Sequence, residues 1–543
     1  MYEGQWCPIP LGLSGLMTDL GGSELPITSL IKATNCNFTN GWIEKAPGAI
    51  RYNVSGAFTA GVVAVQDYWP SITTQRMIVA TSDGKIWKDY GDRGFNNMVP
   101  IGTGIGNGLL DNKCQIIIAG NEVASNVKKV FIFSNGSSQI QVISGDSKTV
   151  AAIGSPATDW PNPSISSNPQ SIFPKFGIVH RNRLWCFMKS QYYASSATNH
   201  EDFQTSNAIL TGSMGPGQGG DILGAIVYKS RLFVFKEGDL IYQLNDTDPS
   251  SANWYFTLFG QGLGVSSIHG LIQVIDDLLI GNNTGAITSY TATQAYGDVK
   301  QGDVFKNARV SKFFREYTSK TGIPYMHAVY YSEKGLALFS TRSTFTTFND
   351  TMIQLDVSNP QAPKFGLWNH YQADCLSMRR DSENIMRPFY GAKDGYVYLA
   401  ARETRAVNGA AYTAEFKLPY LDMRHLDPSL STKDKIFDHL SCTFTPDGNH
   451  ALSVDVYIDG RFNETISIPQ TVDTNYLGAF KLGSSILGVE EEQTILVPLH
   501  GEGKRISLRC YNGNALESFK VSQLSIGFRI AGENPVALSG QGG

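Results

Sequence analysis

The sequence predicts an all-β protein: a β-propeller of six or seven blades, preceded by an extended N-terminal arm and followed by a C-terminal β-sandwich. Composition is the first reason. Charged residues make up only 17% of 543 positions, and 55 Gly with 24 Tyr and 28 Phe favour short strands and tight turns over long helices. The second is a pair of stretches, HRNRLWCFMKSQYYASSATNHEDFQ from His180 and KSRLFVFKEGDLIYQL from Lys229. Each has a small basic lead-in, an apolar alternating run, a polar turn and a second alternating run, the pattern of an antiparallel hairpin with one buried face. The third is that this unit recurs along the chain.

Residues 1 to about 55 read as the arm, with apolar patches (LGLSGL, SLIKA) separated by Gly-Gly and Pro and ending in NGWIEKAPGAIRYN, where Asn-Gly and Pro-Gly signal turns. Such a segment cannot bury its own apolar surface and is expected to lie along another domain or subunit. Residues from about 56 to 405 hold the propeller. Its hairpin units are MIVATSDGKIWK from Met77, VFIFSNGSSQIQVI from Val130, RLWCFMKSQYYAS from Arg183, RLFVFKEGDLIYQL from Arg231, LLIGNNTGAITSY from Leu278, LALFSTRSTFTTFNDTMIQLDV from Leu336 and FYGAKDGYVYLA from Phe389. They recur at roughly 45 to 60 residues, the length of a four-stranded propeller blade. Two biased loops interrupt them: the Pro-rich 154 to 174, which cannot be central strand, and the Gly-rich 212 to 220, a bridge between the two opening hairpins. Residues from about 406 to 530 change pattern, with period-2 strands around the Asp447-Gly448 and Asp459-Gly460 turns, and predict a separate sandwich or platform. Residues 531 to 543 read as a loose, Gly-rich tail.

Bulk properties narrow the function. A formal charge of −4 gives no basic footprint for holding nucleic acid through its phosphates, although DNA sliding past the surface is compatible with it. The seven cysteines (Cys7, Cys36, Cys114, Cys186, Cys375, Cys442, Cys510) are far apart and never form C-x-x-C, so neither a disulfide scaffold nor a zinc site is encoded. They read as reduced, buried residues of a protein made in a cytosol. The N-terminal MYEGQWCPIPLGLSG has no signal-peptide pattern, and no run of about 18 apolar residues occurs, so no membrane segment is expected.

Each feature that suggests chemistry has a plainer structural reading. Asp276-Asp277 could serve a glycosidase as paired carboxylates, but neighbours in a strand point to opposite faces and cannot flank one bond. TSDGKIW at Thr81 is like the Asp-box turn of sialidases but lacks a residue between Asp and Gly, and Arg181 with Arg183 are expected to salt-bridge at a rim. Asn245-Asp246-Thr247-Asp248 lacks the spacing of a calcium loop, and His200-Glu201 lacks the second histidine of a zinc protease. The glycines at 102, 104, 106 and 108 match no phosphate-binding loop, and Gly503-Lys504 is followed by Arg505 instead of Ser or Thr. No Ser elbow is present. The aromatic run FFREYTSKTGIPYMHAVYY from Phe313 reads as core. The sequence therefore yields no catalytic, cofactor-binding or metal-ligating residue, and the expectation is a protein that is not an enzyme and needs no cofactor.

Three landmarks together carry a resemblance: the run LIKATNCNFTNGWIEKAPGAIRYN in the arm; the pair HRNRLWCF…QYYASSATNHEDF and GGDILGAIVYKSRLFVFKEGDLIYQL; and the closing LDPSLSTKDKIFDHL, VDVYIDGR and ISLRCYNG…FKVSQLSIGFRI. The chain resembles, over nearly its whole length, the tail nozzle (stabilisation, or tail tubular) proteins of short-tailed bacteriophages. The resemblance implies a structural virion protein assembled in the bacterial host cytoplasm and located in the virion tail. It implies a homo-oligomeric, hexameric ring in which the arm and the sandwich form a platform. The ring would sit under the portal and tail adaptor and extend the channel that retains genomic DNA and conducts it during ejection without sequence-specific binding. It would also hold a tail needle, spike or fibres. The alternative reading is a propeller carbohydrate-active enzyme or lectin acting on host surface glycans.

Overall fold

The structure, a computed structural model, describes residues 4–532 except 22–23, 40, 54–55, 92, 98, 102–109, 112, 122–126, 154–172, 204–209, 216–219, 263, 291–301, 305–308, 360–362, 382–383, 403, 446–449 and 471–491. Seven blades, antiparallel except for one parallel strand pair at the outer edge of the second, form a propeller. Their innermost strands are Val62–Ser71, Gln115–Asn121, Phe176–His180, Ile222–Tyr228, Leu271–Val274, His327–Tyr331 and Cys375–Arg380. Each packs against the next, and the last packs against the first, so the ring is closed. The blade number, six or seven from the sequence, is seven.

The seven hairpins seen in the sequence are the second and third strands of the seven blades, in order. The basic lead-ins HRNR and KSR prove to be the turns joining first to second strand. Arg181 and Asn182 have φ of 52° and 55°, and Lys229 and Ser230 have 48° and 62°, which is the two-residue turn that matches strand twist. One expectation needs correcting. Strands Arg183–Met188 and Leu336–Thr341 are buried at every position, not on one face, because each blade is stacked between two others.

The arm changes domain between strands Trp42–Lys45 and Gly48–Arg51. The seventh blade has only three consecutive strands, and its fourth is Gly48–Arg51 from the arm, antiparallel to Val397–Arg402. A Cβ at Gly48 would sit on the backbone oxygen of Ala406, so only glycine allows this approach. The same seam carries a buried ionic cluster. Arg379 of the seventh blade lies 3.5 Å from Asp67 and 3.5 Å from Asp89 of the first, and the Tyr52 hydroxyl donates to Asp89 at 2.7 Å. Gln75 and Trp69 donate to Asp67. Burial still pushes the Asp67 carboxyl above its ordinary range, against the pull of Arg379.

The rest of the arm belongs to the C-terminal sandwich. Strands Gln5–Pro10, Cys36–Thr39 and Trp42–Lys45 join Lys435–Phe444, Gln493–Gly503 and Lys520–Ile530 in one sheet. The other sheet contains Lys32–Thr34, Ala414–Lys417, Ile506–Asn512, His450–Ile458 and Arg461–Gln470. This second sheet is not separate from the propeller: Lys32–Thr34 runs parallel to Lys364–Trp368 of the sixth blade, giving nine continuous strands. Apolar residues of both sheets, such as Phe437, Leu524, Val454 and Cys510, form one core with Phe339, Ile353 and Leu367 of the sixth blade. A bulge between Phe437 and His439 shifts the inward phase of Lys435–Phe444, so Phe437 and then Leu440, Cys442 and Phe444 all face that core.

The hinge between arm and propeller is densely bonded. His370 stacks on Tyr412 at 4.2 Å and places its ring nitrogens 2.8 Å from Asn35 Oδ1 and 3.0 Å from the Pro47 carbonyl, while Tyr371 also donates to Pro47. Burial pushes His370 down to about 3. Lys45, fully buried, donates to Asn512 Oδ1 and the Asn514 carbonyl, and burial lowers it to about 8.

Other expectations meet the structure unevenly. The aromatic run from Phe313 includes a helix, Ser311–Tyr317, whose first amides are capped by the Asp19 carboxylate of the arm. Within 212 to 220, Gly212 and Ser213 belong to the outer strand Leu210–Ser213 of the third blade. The glycine run 102 to 108, most of the Pro-rich loop and most of the tail lie outside the described residues. No described helix is long and apolar enough to cross a membrane.

Candidate functional site

First strands begin, and second strands turn into third strands, at one end of the propeller, so the connections between blades converge there around the axis. We call this end the mouth. Two contacts cross it. His269, just ahead of the fifth blade's inner strand, reaches the Cys114 carbonyl ahead of the second blade's at 3.0 Å, and those blades stand on opposite sides of the ring. A carbonyl only accepts, so Nε2 carries the proton. The ring stacks on His327 of the sixth blade at 4.0 Å between centroids, and burial lowers its pKa to about 4, keeping it neutral. The second crossing is Lys113, whose ammonium lies 4.6 Å from the Tyr325 ring, with the Arg342 guanidinium 3.8 Å from the same ring. Side chains therefore span the propeller axis at its mouth.

Beside these contacts is a cavity of about 400 Å³ built from the connections of the second to sixth blades. Lys113, Lys175 and Lys320 stand around it, with Glu237 as the one carboxylate among its described lining residues. Ile222, Leu223, Val265, Ile268, Ile323 and Pro324 form its walls. Lys175 is oriented by an ion pair with Asp221, whose backbone amide donates to Glu237. Asn135 and Asn283 come from the turns between second and third strands, and Asn283 donates to Asp239. Counting Asp221 and Asp239 beside Glu237, the acids around the cavity match its three lysines.

The residues singled out in the sequence lie elsewhere, and several need correction. Asp276 is in the turn before strand Asp277–Gly281, not beside Asp277 within a strand, and Asp277 accepts from Leu278 and Ser289. Arg181 does pair with an acid, Asp246 at 2.8 Å, alongside His180 at 2.8 Å. Burial of Asp246 raises its pKa, but the hydrogen bonds from Arg181 and His180 outweigh this and hold it below the ordinary range. Arg183 is buried within its strand and not at a rim, and it donates to the Ser195 carbonyl at 2.6 Å and the Ser251 hydroxyl at 3.0 Å. A charged side chain at that place serves to tie loops, since five donors can satisfy several carbonyls at once.

The other motifs are turns. Asp83 of TSDGKIW accepts from Thr81 and Thr59 and pairs with Lys85, which outweighs burial and holds it at about 2. Asp248 accepts from Ser250 and Asn253, Glu201 pairs with Lys129, and the Lys504 amide donates to Asp459. Among the described residues no group of three or more His, Cys, Asp or Glu is placed to hold a metal ion. All seven cysteines are free and buried.

Sequence reasoning missed the mouth lysines. Lys113 and Lys175 each come within two residues of an inner strand, but that signal exists only once the blades are indexed.

No family model matches this sequence, and no curated protein matches it. Among solved structures the chain is similar to BBS1N in complex with ARL6DN, at 11% identity and TM-score 0.38, covering 64% of this chain and 94% of that one. It is similar to the computationally designed Ika8 protein at 12% identity and TM-score 0.33, covering 73% and 100%. It is also similar to an exo-beta-1,3-galactanase from Phanerochaete chrysosporium at 9% identity and TM-score 0.26, covering 89% and 99%. Likenesses this weak carry no argument about function, and the propeller rests on the strand pairing itself.

Proposed function

We propose that this chain is a structural subunit of the tail nozzle of a short-tailed bacteriophage, a sixfold ring below the portal and adaptor that retains the genome and conducts it during ejection. The observation that carries this reading is the fusion of propeller and sandwich into one body. The arm supplies strands to both, the nine-stranded sheet crosses between them, and one core runs through the junction. A wall that bears the pressure of packed DNA must not flex between its domains, and this construction removes the linker at which it would.

Two further features support it. Contacts of His269 with Cys114 and of Lys113 with Tyr325 span the propeller axis at its mouth, so in this reading the channel belongs between subunits, where a closed ring of head-to-tail contacts provides one. Burial raises the thiols, Cys7 and Cys442 to about 12, so they stay protonated and inert, as suits assembly in a reducing host cytoplasm. In this reading the protein works by shape and charge, without catalysis, and a net acidic chain does not trap phosphates. A glycan-cleaving alternative would draw on the mouth, where Glu237 accepts from the Asp221 amide, Asp221 pairs with Lys175 and Asp239 accepts from Asn283.

Light scattering on the purified protein, alone and with the adaptor ring of the same phage, tests the proposal. A closed multimer under at least one condition is the expected result. A monomer under both overturns it.

A further inference from the structure

We propose that Lys45 and Asn512 form an intramolecular isopeptide bond, with loss of ammonia, that joins the N-terminal arm covalently to the C-terminal sandwich. The bond lies within one chain and is read by mass, so it stands or falls apart from the nozzle reading.

The geometry assembles the reactants. Lys45 ends strand Trp42–Lys45 in one sheet of the sandwich and Asn512 ends strand Ile506–Asn512 in the other, 467 residues apart along the chain. Both are buried, Lys45 completely and Asn512 at 3% exposure. The Lys45 Nζ lies 3.2 Å from Asn512 Oδ1. A carbonyl bond is about 1.2 Å long, so Nζ is at most about 4.4 Å from Cγ, and a movement of about 1 Å brings it to attacking distance. The amide is oriented by its partners. Nδ2 donates to the Ala451 carbonyl at 3.1 Å and to Glu517 at 2.8 Å, while Oδ1 accepts from Lys45 and from the Asn514 amide at 3.3 Å. The leaving nitrogen therefore faces a carboxylate, and the oxygen that gains charge faces two donors.

The amine is set for attack. Among the described residues Lys45 has no carboxylate at ion-pair distance, and its two hydrogen-bond acceptors, Asn512 Oδ1 and the Asn514 carbonyl, are both neutral. An uncharged lysine has two N–H donors, enough for both, and a lone pair for carbon. Burial, with Arg405 adding to it and Glu517 opposing it, lowers Lys45 to about 8, so about one amine in ten is uncharged at neutral pH. Burial raises Glu517, but hydrogen bonds from Asn514 and Asn512 outweigh this and keep it ionised. Other fully buried lysines lack such a target: Lys88 pairs with Asp146, and Lys435 donates to the backbone carbonyls of Lys433 and Lys504.

The step balances without a co-reactant. The uncharged Lys45 amine gives its lone pair to Asn512 Cγ, and the carbonyl π pair moves to Oδ1, held by the Asn514 amide. Glu517 takes one proton from Nζ and delivers it to Nδ2. The Cγ–Nδ2 bond then breaks as the carbonyl re-forms, ammonia leaves with the electron pair of that bond, and a secondary amide joins the two side chains. Burial keeps water from competing for Cγ.

Intact-mass spectrometry of the purified full-length protein, denatured after prolonged incubation at about pH 8, tests the proposal. Most molecules should be lighter than the sequence by one ammonia. Trypsin should release residues 33–51 joined to residues 510–520, because an acylated Lys45 is not cut. Lys45→Met should keep the full mass, and Glu517→Gln, at a partly exposed position, should slow bond formation by ~100-fold or more. A succinimide at Asn512-Gly513 would lose the same mass, but it would leave the two peptides separate and persist in Lys45→Met. The joined peptide is read from the parent protein, so the result does not hang on whether a variant folds. A parent of full mass, an ammonia loss that persists in Lys45→Met, or a linkage as fast in Glu517→Gln as in the parent would each overturn the proposal.

Discussion

The seam between the seventh and first blades and the mouth over the second to sixth use the same residue types to opposite ends. At the seam, Arg379, Asp67, Asp89 and Tyr52 are drawn together out of water and an arm strand is laid along the edge. At the mouth, Lys113, Lys175 and Lys320 are spread around a cavity, and side chains span the axis beside it. The difference teaches where this fold gathers charged groups into one buried cluster and where it holds them apart, Lys175 paired with Asp221 and Lys113 set against the Tyr325 ring. A ring made from one chain must join its last blade to its first, and here residues near the two ends of the propeller sequence do so.

Arg379→Ala is the harshest test of the seam. It would leave two carboxylates without their buried cation, and the expected loss is about 3–5 kcal/mol of unfolding free energy, measured by denaturant titration. A loss below about 1 kcal/mol would mean that the cluster does not close the ring. Gly48→Ala comes next, because the new methyl meets the Ala406 and Thr404 carbonyls: about 1–3 kcal/mol, by the same measurement. An unchanged midpoint would show that the arm strand is not seated in the seventh blade.

Acid pH probes mouth and hinge together. His269 and His370 stay neutral in the fold, down to about 4 and about 3 respectively, while an unfolded histidine takes up a proton near 6.5. Between those values the unfolded chain holds more protons, so stability falls as pH drops from about 6.5 towards 4, by up to ~1.4 kcal/mol per unit for each histidine. His370→Gln should remove that residue's share of the fall, up to ~1.4 kcal/mol per pH unit, as followed by thermal unfolding across the pH range. A slope the same as that of the parent protein would place the acid sensitivity elsewhere. The smallest effect is expected for Asp276→Asn in a surface turn, within about 0.5 kcal/mol by the same denaturant titration.

Much of the propeller was legible because its middle strands announce themselves. RLWCFM and RLFVFK are apolar runs closed by tight turns, and all seven hairpins found in the sequence are the centres of blades. Their burial on both faces was not legible, since a continuous apolar strand and a half-buried one differ only in what packs outside them. The outer strands were harder still. Tyr255–Gln261 is mostly exposed and carries no clear alternation, and Gly48–Arg51 pairs with a strand some 350 residues later, a contact that no local pattern encodes. The site suffered most. Arg183 looked like a rim charge because sequence shows a residue's type and neighbours but not its depth, and the mouth lysines come together only when the ring closes.

Single-particle electron microscopy of the protein, alone and with the adaptor ring that the proposed nozzle role calls for, tests the central claim most directly. The account predicts a closed ring of copies whose lumen runs between subunits, each propeller and sandwich moving as one body and each propeller axis spanned at His269. A solitary molecule, or a propeller that swivels freely on its sandwich, would contradict it.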